Sequence, residues 1–571
     1  MKTTYEWKAL PWRKLARRVF KLQKRIYQAT VRGDKKAVRR LQRLMMTSWS
    51  AKCLAVRRVT QDNRGKKTAG IDGQAALTPF ERLTLVRKLC LGNKAKPSRR
   101  VWIPKPGSEE RRPLAIPTLH DRALQALVKQ ALEPEWEAKF EPNSYGFRPG
   151  RSTRDAIQAI FLAIKQQPKY VLETDIAKCF ECINHKALCQ KLNTSPSLAR
   201  QIRAWLKAGV MEGNQFHATP TGAAQGSVIS PLLANIALHG MEADLRKRFG
   251  NKPQPILVRY ADDLVVLHKD LEVIESAQQF LTQWLIPMGL ELKPSKTQII
   301  HTLVPYQGAV GFDFLGYEIR QFPMGKTHAK QGFKTIIKPS REAQRHHYRR
   351  LREICNTHQA ASQAVLIDRL NPIIRGWANY YSNVCSKATY TAMDNRIYSK
   401  LRAWSRRRHS NKNRHWIARK YWLVGLGGGW VFAARLPGKT LRLVQHIQTP
   451  IKRHIKVQST RSPYDGDWVY WARRMAHHPT IKPTVSRLLK RQSGKCAYCC
   501  SPFYPEDRWE VHHLDRNPNN YHPSNLGLLH RHCHDLVHSC LDDSHRFVEK
   551  PDELKDSRPV LQPSLRGDPQ A

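Results

Sequence analysis

Apolar residues recur at three- and four-residue steps through residues 7–58: Val19, Leu22 and Ile26, then Leu41, Leu44 and Met45. That spacing draws one apolar stripe along a helix and leaves Lys and Arg on the outer faces. It predicts a basic helical extension over residues 1–58. The period then changes. Residues 100–118 read as two strands joined by a Gly-containing turn, and 120–140 returns to a helical pattern. Tyr170 to Asp175 is an apolar run that ends in a carboxylate. At 256–267 two β-rich runs flank an adjacent pair, Asp262 and Asp263. Helical patterns return at 271–287 and 341–424. Gly425 and Gly427 to Gly429 predict a break. Residues 541–571 show little apolar periodicity and are expected to be disordered.

Carboxylates at the tip of a hairpin would be held rigidly at a surface. Asp also favours turns, so a plain hairpin turn is the alternative reading. Two Mg²⁺ ions about 3.5–4 Å apart can activate an attacking oxygen and stabilise a leaving one. Mg²⁺ keeps part of its water, so a few carboxylates suffice to hold it. Asp175 supplies a carboxylate from a separate run.

With that residue the chain resembles reverse transcriptases. Tyr260-Ala261-Asp262-Asp263 looks like their catalytic box, Asp175 falls where a third carboxylate belongs, and 224–236 looks like the block between. The resemblance implies that Asp175, Asp262 and Asp263 are catalytic and hold two Mg²⁺ ions. Lys105 and Arg112 flank the turn of the 100–118 hairpin, where cations can neutralise a nucleotide triphosphate. Arg111 competes with Arg112 for that place. Phe180, five residues past Asp175, would exclude a 2′-hydroxyl and so select deoxynucleotides; a plain core Phe is the alternative. Gln225 and Gly226 would line the nucleotide pocket, with Lys296 nearby. Ala224 and Ser227 replace the usual Pro and Gly of that block, which bears on fidelity or rate and removes no ligand. Arg148 and Arg151, in the 143–152 segment, are either phosphate contacts or structural. Cys179 and Cys182 make a C-x-x-C without a second pair nearby, so metal or redox use is discounted.

Residues 370–381, with Arg375 and Trp377, resemble the thumb or maturase motif of group II intron proteins. Residues 395–464 hold 17 Lys and Arg and no Asp or Glu. Arg406, Arg407 and Arg408 offer charge for an RNA backbone. Trp404, Trp416, Tyr421 and Trp422 offer stacking platforms. A helical core with solvated charges would give the same pattern, and a thumb needs such a core.

Near the C-terminus Cys496 and Cys499 precede His530 and Cys533, a spacing that suits a tetrahedral structural zinc. Cys500 or His532 could substitute as the fourth ligand. The remaining order, His-His, Asn, His-x₃-His, resembles HNH endonucleases. That implies a catalytic divalent metal on His512, His534 and His538, with His513 as general base and Asn525 orienting it. His512 and His513 could exchange roles, and a zinc ribbon that merely grips DNA is the alternative.

The net charge is +53 at pI 10.3, which predicts a polyanionic partner. The 12 Cys are scattered and no secretory or membrane-length apolar run appears, which points to a reducing interior. The order of blocks resembles group II intron-encoded proteins over about residues 7–540. The implied architecture is a multidomain α+β chain. Its parts are a basic extension (1–58), right-hand polymerase fingers and palm (59–335), an α-helical thumb and maturase domain (336–424), a basic DNA-binding region (425–485), a small zinc-containing ββα HNH module (486–540) and a tail (541–571). The implied partners are intron RNA, target DNA and deoxynucleoside triphosphates, without a membrane and with the oligomeric state open, a dimer being one option. The implied setting is a bacterial cytoplasm or nucleoid, or an organelle. Two other classes compete. A retron-like or diversity-generating reverse transcriptase would lack the thumb and HNH blocks. A splicing factor with a vestigial polymerase would have degraded carboxylates.

Overall fold

A computed structural model describes residues 6–104, 110–250, 253–325, 327, 329–424, 429–476, 483–503, 507 and 509–539. Lys105, most of the expected Gly break at 425–429 and the 541–571 tail lie outside the described residues.

The centre is a four-stranded antiparallel sheet in the order Ile256–Tyr260, Asp263–His268, Tyr170–Asp175, Gln298–His301. Successive side chains in a strand point to opposite faces. Leu264 and Val266 enter a core with helix Leu271–Leu285, while Val265 and Leu267 enter a second core with helix Thr153–Ile164. Burial on both faces explains why 264–267 is apolar without alternation.

The N-terminal period becomes helices Trp12–Val31, Lys35–Thr47 and Trp49–Arg57, which pack on helix Leu119–Glu137. Val19, Ile26, Leu41 and Met45 are buried as the stripe predicts, but Leu44 is 48% exposed. It sits one step off the stripe that Leu41 and Met45 share. The 100–118 hairpin forms from Ser98–Pro104 and Arg111–Ile116, with Ile103 opposite Arg112.

The 143–152 segment is structural. Ser144 bridges to Arg259 in the sheet, and a Cβ on Gly146 would lie 2.3 Å from the Ala261 nitrogen. Only Gly lets the two chains approach this closely. Arg148 is buried and donates to both Glu137 oxygens (2.9 and 3.1 Å) and to the Glu141 and Ser144 carbonyls. Arg151 is also buried and donates to the Pro142 and Ser459 carbonyls (2.7 and 2.9 Å). Neither guanidinium is placed for a phosphate. Removing one partner of a buried pair strands the other charge. Arg148→Met is therefore expected to cost about 3–5 kcal/mol, read as a lower urea midpoint with an unchanged m-value.

Helices Arg341–Thr357, Gln363–Tyr380, Lys387–Arg408 and Arg414–Tyr421 follow. Trp404, Tyr421 and Trp422 are core, while Trp416 is 38% exposed, so of these four aromatics only Trp416 faces outward. Tyr380 and Tyr381 donate to the Leu315 and Gly316 carbonyls, tying this bundle to the turn between strands Phe312–Phe314 and Tyr317–Pro323 of a separate three-stranded sheet.

The basic stretch after the Gly break does not stand apart. Phe432, Ala434 and Leu443 complete the helical-bundle core, and Val457 and Trp471 join the core under the central sheet. At that seam Asp155 accepts from Val457 N (2.8 Å), His454 Nε2 (3.1 Å) and Arg474 Nη2 (2.7 Å). Burial opposes the Asp155 charge, yet the His454 hydrogen bond and the Arg474 charge outweigh it and hold the carboxyl far below its ordinary range. The last unit has antiparallel strands Trp509–His513 and Leu526–His530 and helix Arg531–Ser539.

Candidate functional site

Strand register gathers the carboxylates. Asp175 stands directly opposite Asp263, and Asp262 lies in the turn before it. Facing residues in an antiparallel pair have Cα atoms about 4.5–5.5 Å apart. Ala261 takes φ 59°, which swings the turn so that the Asp262 carbonyl accepts from Ile176 N (3.2 Å). Beneath it Arg259, fully buried, donates to Asn235 Oδ1 and to the Ala261 carbonyl (both 3.2 Å). Asn235 in turn donates to the Gly146 carbonyl (2.8 Å). Sequence reading missed this brace, because a charged residue inside a strand carries no signal of what lies under it.

Burial raises the Asp263 carboxyl to about 7, and the Asp175 and Asp262 charges add to the shift. Burial likewise raises Asp262, with Asp175 adding and Lys296 and Arg112 partly offsetting. Lys296 Nζ donates to Asp175 Oδ2 (2.9 Å). Burial works against its charge, but the bond and charge of Asp175 prevail and raise it. Asp175 Oδ1 is buried without a hydrogen-bond partner. Three carboxylates that feel one another's charge, one with an orphaned oxygen, fit hard divalent cations such as Mg²⁺, although among the described residues their oxygens do not all lie within 4.8 Å of one another. Glu173, two residues before Asp175 and so on the same strand face, was also missed. Burial raises it to about 7, and Gln298 donates to it (2.8 Å). The period of two was the available signal.

Around this cluster Arg112 is exposed on the hairpin and its charge is felt at Asp262. Phe180 is half-buried on the short helix Cys179–Cys182. Gln225 joins the hairpin through its carbonyl, which accepts from Ala115 N (2.6 Å). Ser227 Oγ donates to Gln125 Oε1 (2.8 Å), so the departure from Gly is accommodated by a buried partner. Arg375, Arg406, Arg407 and Arg408 are exposed. Arg408 also donates to the Gln359 and Ala361 carbonyls. Trp377 is half-buried and stacks on His347 (4.4 Å, 7°), so its ring face is already partnered within the protein.

Two groups of side chains that could hold a metal ion lie in the last unit. Cys496, Cys499, His530 and Cys533 have ligand atoms within 4.8 Å of one another, and all four are buried. Neither Cys500 nor His532 belongs to this group. Hydrogen bonds from the neighbouring thiols pull the Cys496 thiol down, which favours the thiolate a metal needs. Four convergent S and N donors fit tetrahedral zinc.

His512, His534 and His538 form the other group, also within 4.8 Å, so His512 rather than His513 joins the helix pair. Burial, then the neighbouring imidazoles, lowers the His512 pKa, which keeps it a neutral ligand. Glu510 Oε2 lies 3.5 Å from His534 Nδ1, a carboxylate that can fix the ring, and it was not anticipated. His513 Nε2 is buried without a partner. Asn525 donates to Asp515 Oδ1 (2.7 Å) and the Asn520 carbonyl (2.9 Å), not to His513. It therefore orders the loop that follows His513; the expected hold on the His513 ring is not formed.

Comparison with known proteins follows the same division. Residues 103–319 match the family described as reverse transcriptase (RNA-dependent DNA polymerase), 7–89 the N-terminal domain of reverse transcriptase, and 344–422 the group II intron maturase-specific domain. Protein YkfC of Escherichia coli (strain K12) is 32% identical over 325 residues, 49% of this chain and 83% of that protein. Maturase-like protein 1 of Euglena gracilis is 28% identical over 65% of this chain and 76% of its own length. Group II intron-encoded protein LtrA of Lactococcus lactis subsp. cremoris is 36% identical over 31% of this chain and 30% of its own. No helix among the described residues is long and apolar enough to cross a membrane. The carboxylate sheet, the helical bundle behind it and these matches together place the chain in the family of group II intron-encoded reverse transcriptases and maturases.

Proposed function

We propose that the chain copies intron RNA into DNA at Asp175, Asp262 and Asp263, and that its last unit nicks target DNA to create the primer. The observation that carries the first part is the register pairing of Asp175 with Asp263 beside Asp262, with Asp175 Oδ1 left unpartnered. Mg²⁺ bound there would supply Lewis-acid activation of a primer 3′-hydroxyl and stabilise the leaving pyrophosphate. Lys296 orients Asp175 through its hydrogen bond to Oδ2. Arg112 faces the same turn and neutralises incoming triphosphate charge. Phe180 walls the sugar side and favours deoxynucleotides. The exposed Arg375, Arg406 and Arg407 contact the intron RNA backbone, whose recognition supports splicing.

The nuclease reading rests on the His512, His534 and His538 group and on the neighbouring His513, whose Nε2 has no hydrogen-bond partner. The three imidazoles would hold a divalent metal that polarises the phosphate, and His513 would take the proton from an attacking water. Zinc on the cysteine group would hold the unit together. In an assay with nicked and intact target DNA, His513→Ala should lose strand cleavage by about 10²–10⁴-fold and still extend a pre-annealed primer. Cleavage persisting in His513→Ala would reduce the unit to a DNA grip.

A second test uses protonation. Asp263 is raised to about 7 from 3.8, so its contribution to stability is complete below about pH 3.8 and is lost as pH rises through about 7. The ionised cluster is then strained, and a cation relieves it. Millimolar Mg²⁺ should raise Tm more at about pH 8 than at about pH 5.5, where protons compete for the same oxygens. An equal gain at both values, or an undiminished gain in Asp263→Asn, would contradict this assignment.

A further inference from the structure

Phe147 pays two local penalties at once. Its φ is 59°, in the left-handed region that a bulky L-residue avoids, and its side chain is 48% exposed. Strain of this kind persists only where the surroundings impose it, and it often marks a functional position. Here both neighbours are pinned. Gly146 is pressed against Ala261, and Arg148 is locked to Glu137. The backbone between them has one way to run, and it aims the Phe147 ring at Phe180. The rings meet edge to face, with centroids 6.1 Å apart and planes at 76°.

We propose that Phe147 is a specificity-determining positioning residue that braces Phe180 against rotation and so sharpens discrimination between deoxyribose and ribose. This deepens the reading of Phe180 given above and rests on it. A half-exposed Phe on a single helical turn has rotamers to escape to, and a wall against one hydroxyl works only while it stays in place. An edge-to-face partner biases that choice by an amount equivalent to about two- to tenfold in population. The brace belongs to the same 143–148 segment that supports the Asp262 turn, so sugar wall and carboxylates share one foundation.

The test is single-nucleotide incorporation by the full chain on an RNA template, comparing kcat/KM for ribo- and deoxynucleoside triphosphates. Phe180→Ala should raise the ribo-to-deoxy ratio strongly. Phe147→Ala should raise it about two- to tenfold, Phe147→Tyr should restore it, and Phe147→Ala should add nothing in the Phe180→Ala background. The null effect in the double variant separates action through Phe180 from general damage. If Phe180→Ala leaves the ratio unchanged, the sugar-wall reading fails and the proposal falls with it. If Phe180→Ala relaxes the ratio and Phe147→Ala does not, or the two changes are additive, the brace alone is overturned.

Discussion

Replacing Asp262 and Asp263 together with Ala is expected to cut RNA-templated DNA synthesis by at least about 10³-fold, with splicing assistance retained. Metal-held charge stabilisation supplies several kcal/mol of a phosphoryl-transfer barrier, and about 4 kcal/mol is already three orders of magnitude. The same substitutions should raise the thermal stability of the metal-free protein. They remove two half-buried carboxylates whose ionisation is opposed by desolvation and by neighbouring carboxylate charge. Lower activity with higher stability is the signature of a site held together against its own charge, and a misfolded variant cannot imitate it. The measurement is primer extension on intron RNA beside a melting curve and a splicing assay. Synthesis within tenfold of wild type would remove these residues from the chemistry.

The second large effect concerns the last unit. Cys533→Ser is expected to unfold residues from about 483 onward while leaving the polymerase intact. The apolar core there is small, built mainly from Val485, Leu488, Leu489, Leu526, Leu528 and Leu529 around the buried cysteines. A core of that size seldom stands alone, whereas a structural zinc contributes about 10–16 kcal/mol of apparent binding energy. Limited proteolysis should release the unit from Cys533→Ser and from chelator-treated wild type alike. Elemental analysis should give one zinc fewer per chain. A protease-resistant Cys533→Ser chain with its zinc retained would show that the cysteine cluster has no structural role.

The central sheet and its carboxylates could be read from the residues because strand period and an adjacent Asp pair are local signals. Asp175 ends an apolar run of its own, but its place beside the pair was implied by the resemblance to reverse transcriptases. The function of Arg148 and Arg151 could not be read that way. A guanidinium in a Gly- and Pro-containing segment looks the same whether it meets a phosphate or is buried on Glu137, and only packing decides. The packing of the 425–485 stretch was hidden for a related reason. Its positive charge predicts a nucleic-acid surface, but the residues that fix its place are the few apolar and polar ones between the charges. Asp155 and Arg474 are 319 residues apart in the chain, beyond the reach of any periodicity. In the last unit, spacing singled out Cys496, Cys499, His530 and Cys533, while His512, His534 and His538 came from the resemblance to HNH endonucleases; each set converges. The role of Asn525 depended on a loop conformation that spacing does not encode.

The contact between Asp155 and Arg474 also sets a floor on how far this gene can erode. A stop codon after about residue 476 would delete the cysteine and histidine groups and leave the polymerase sealed. One before Arg474 would strip a cation from a fully buried anion and open the sheet from below. Shortened descendants that still copy RNA should therefore have lost the last unit cleanly, with their new ends clustered just past that arginine.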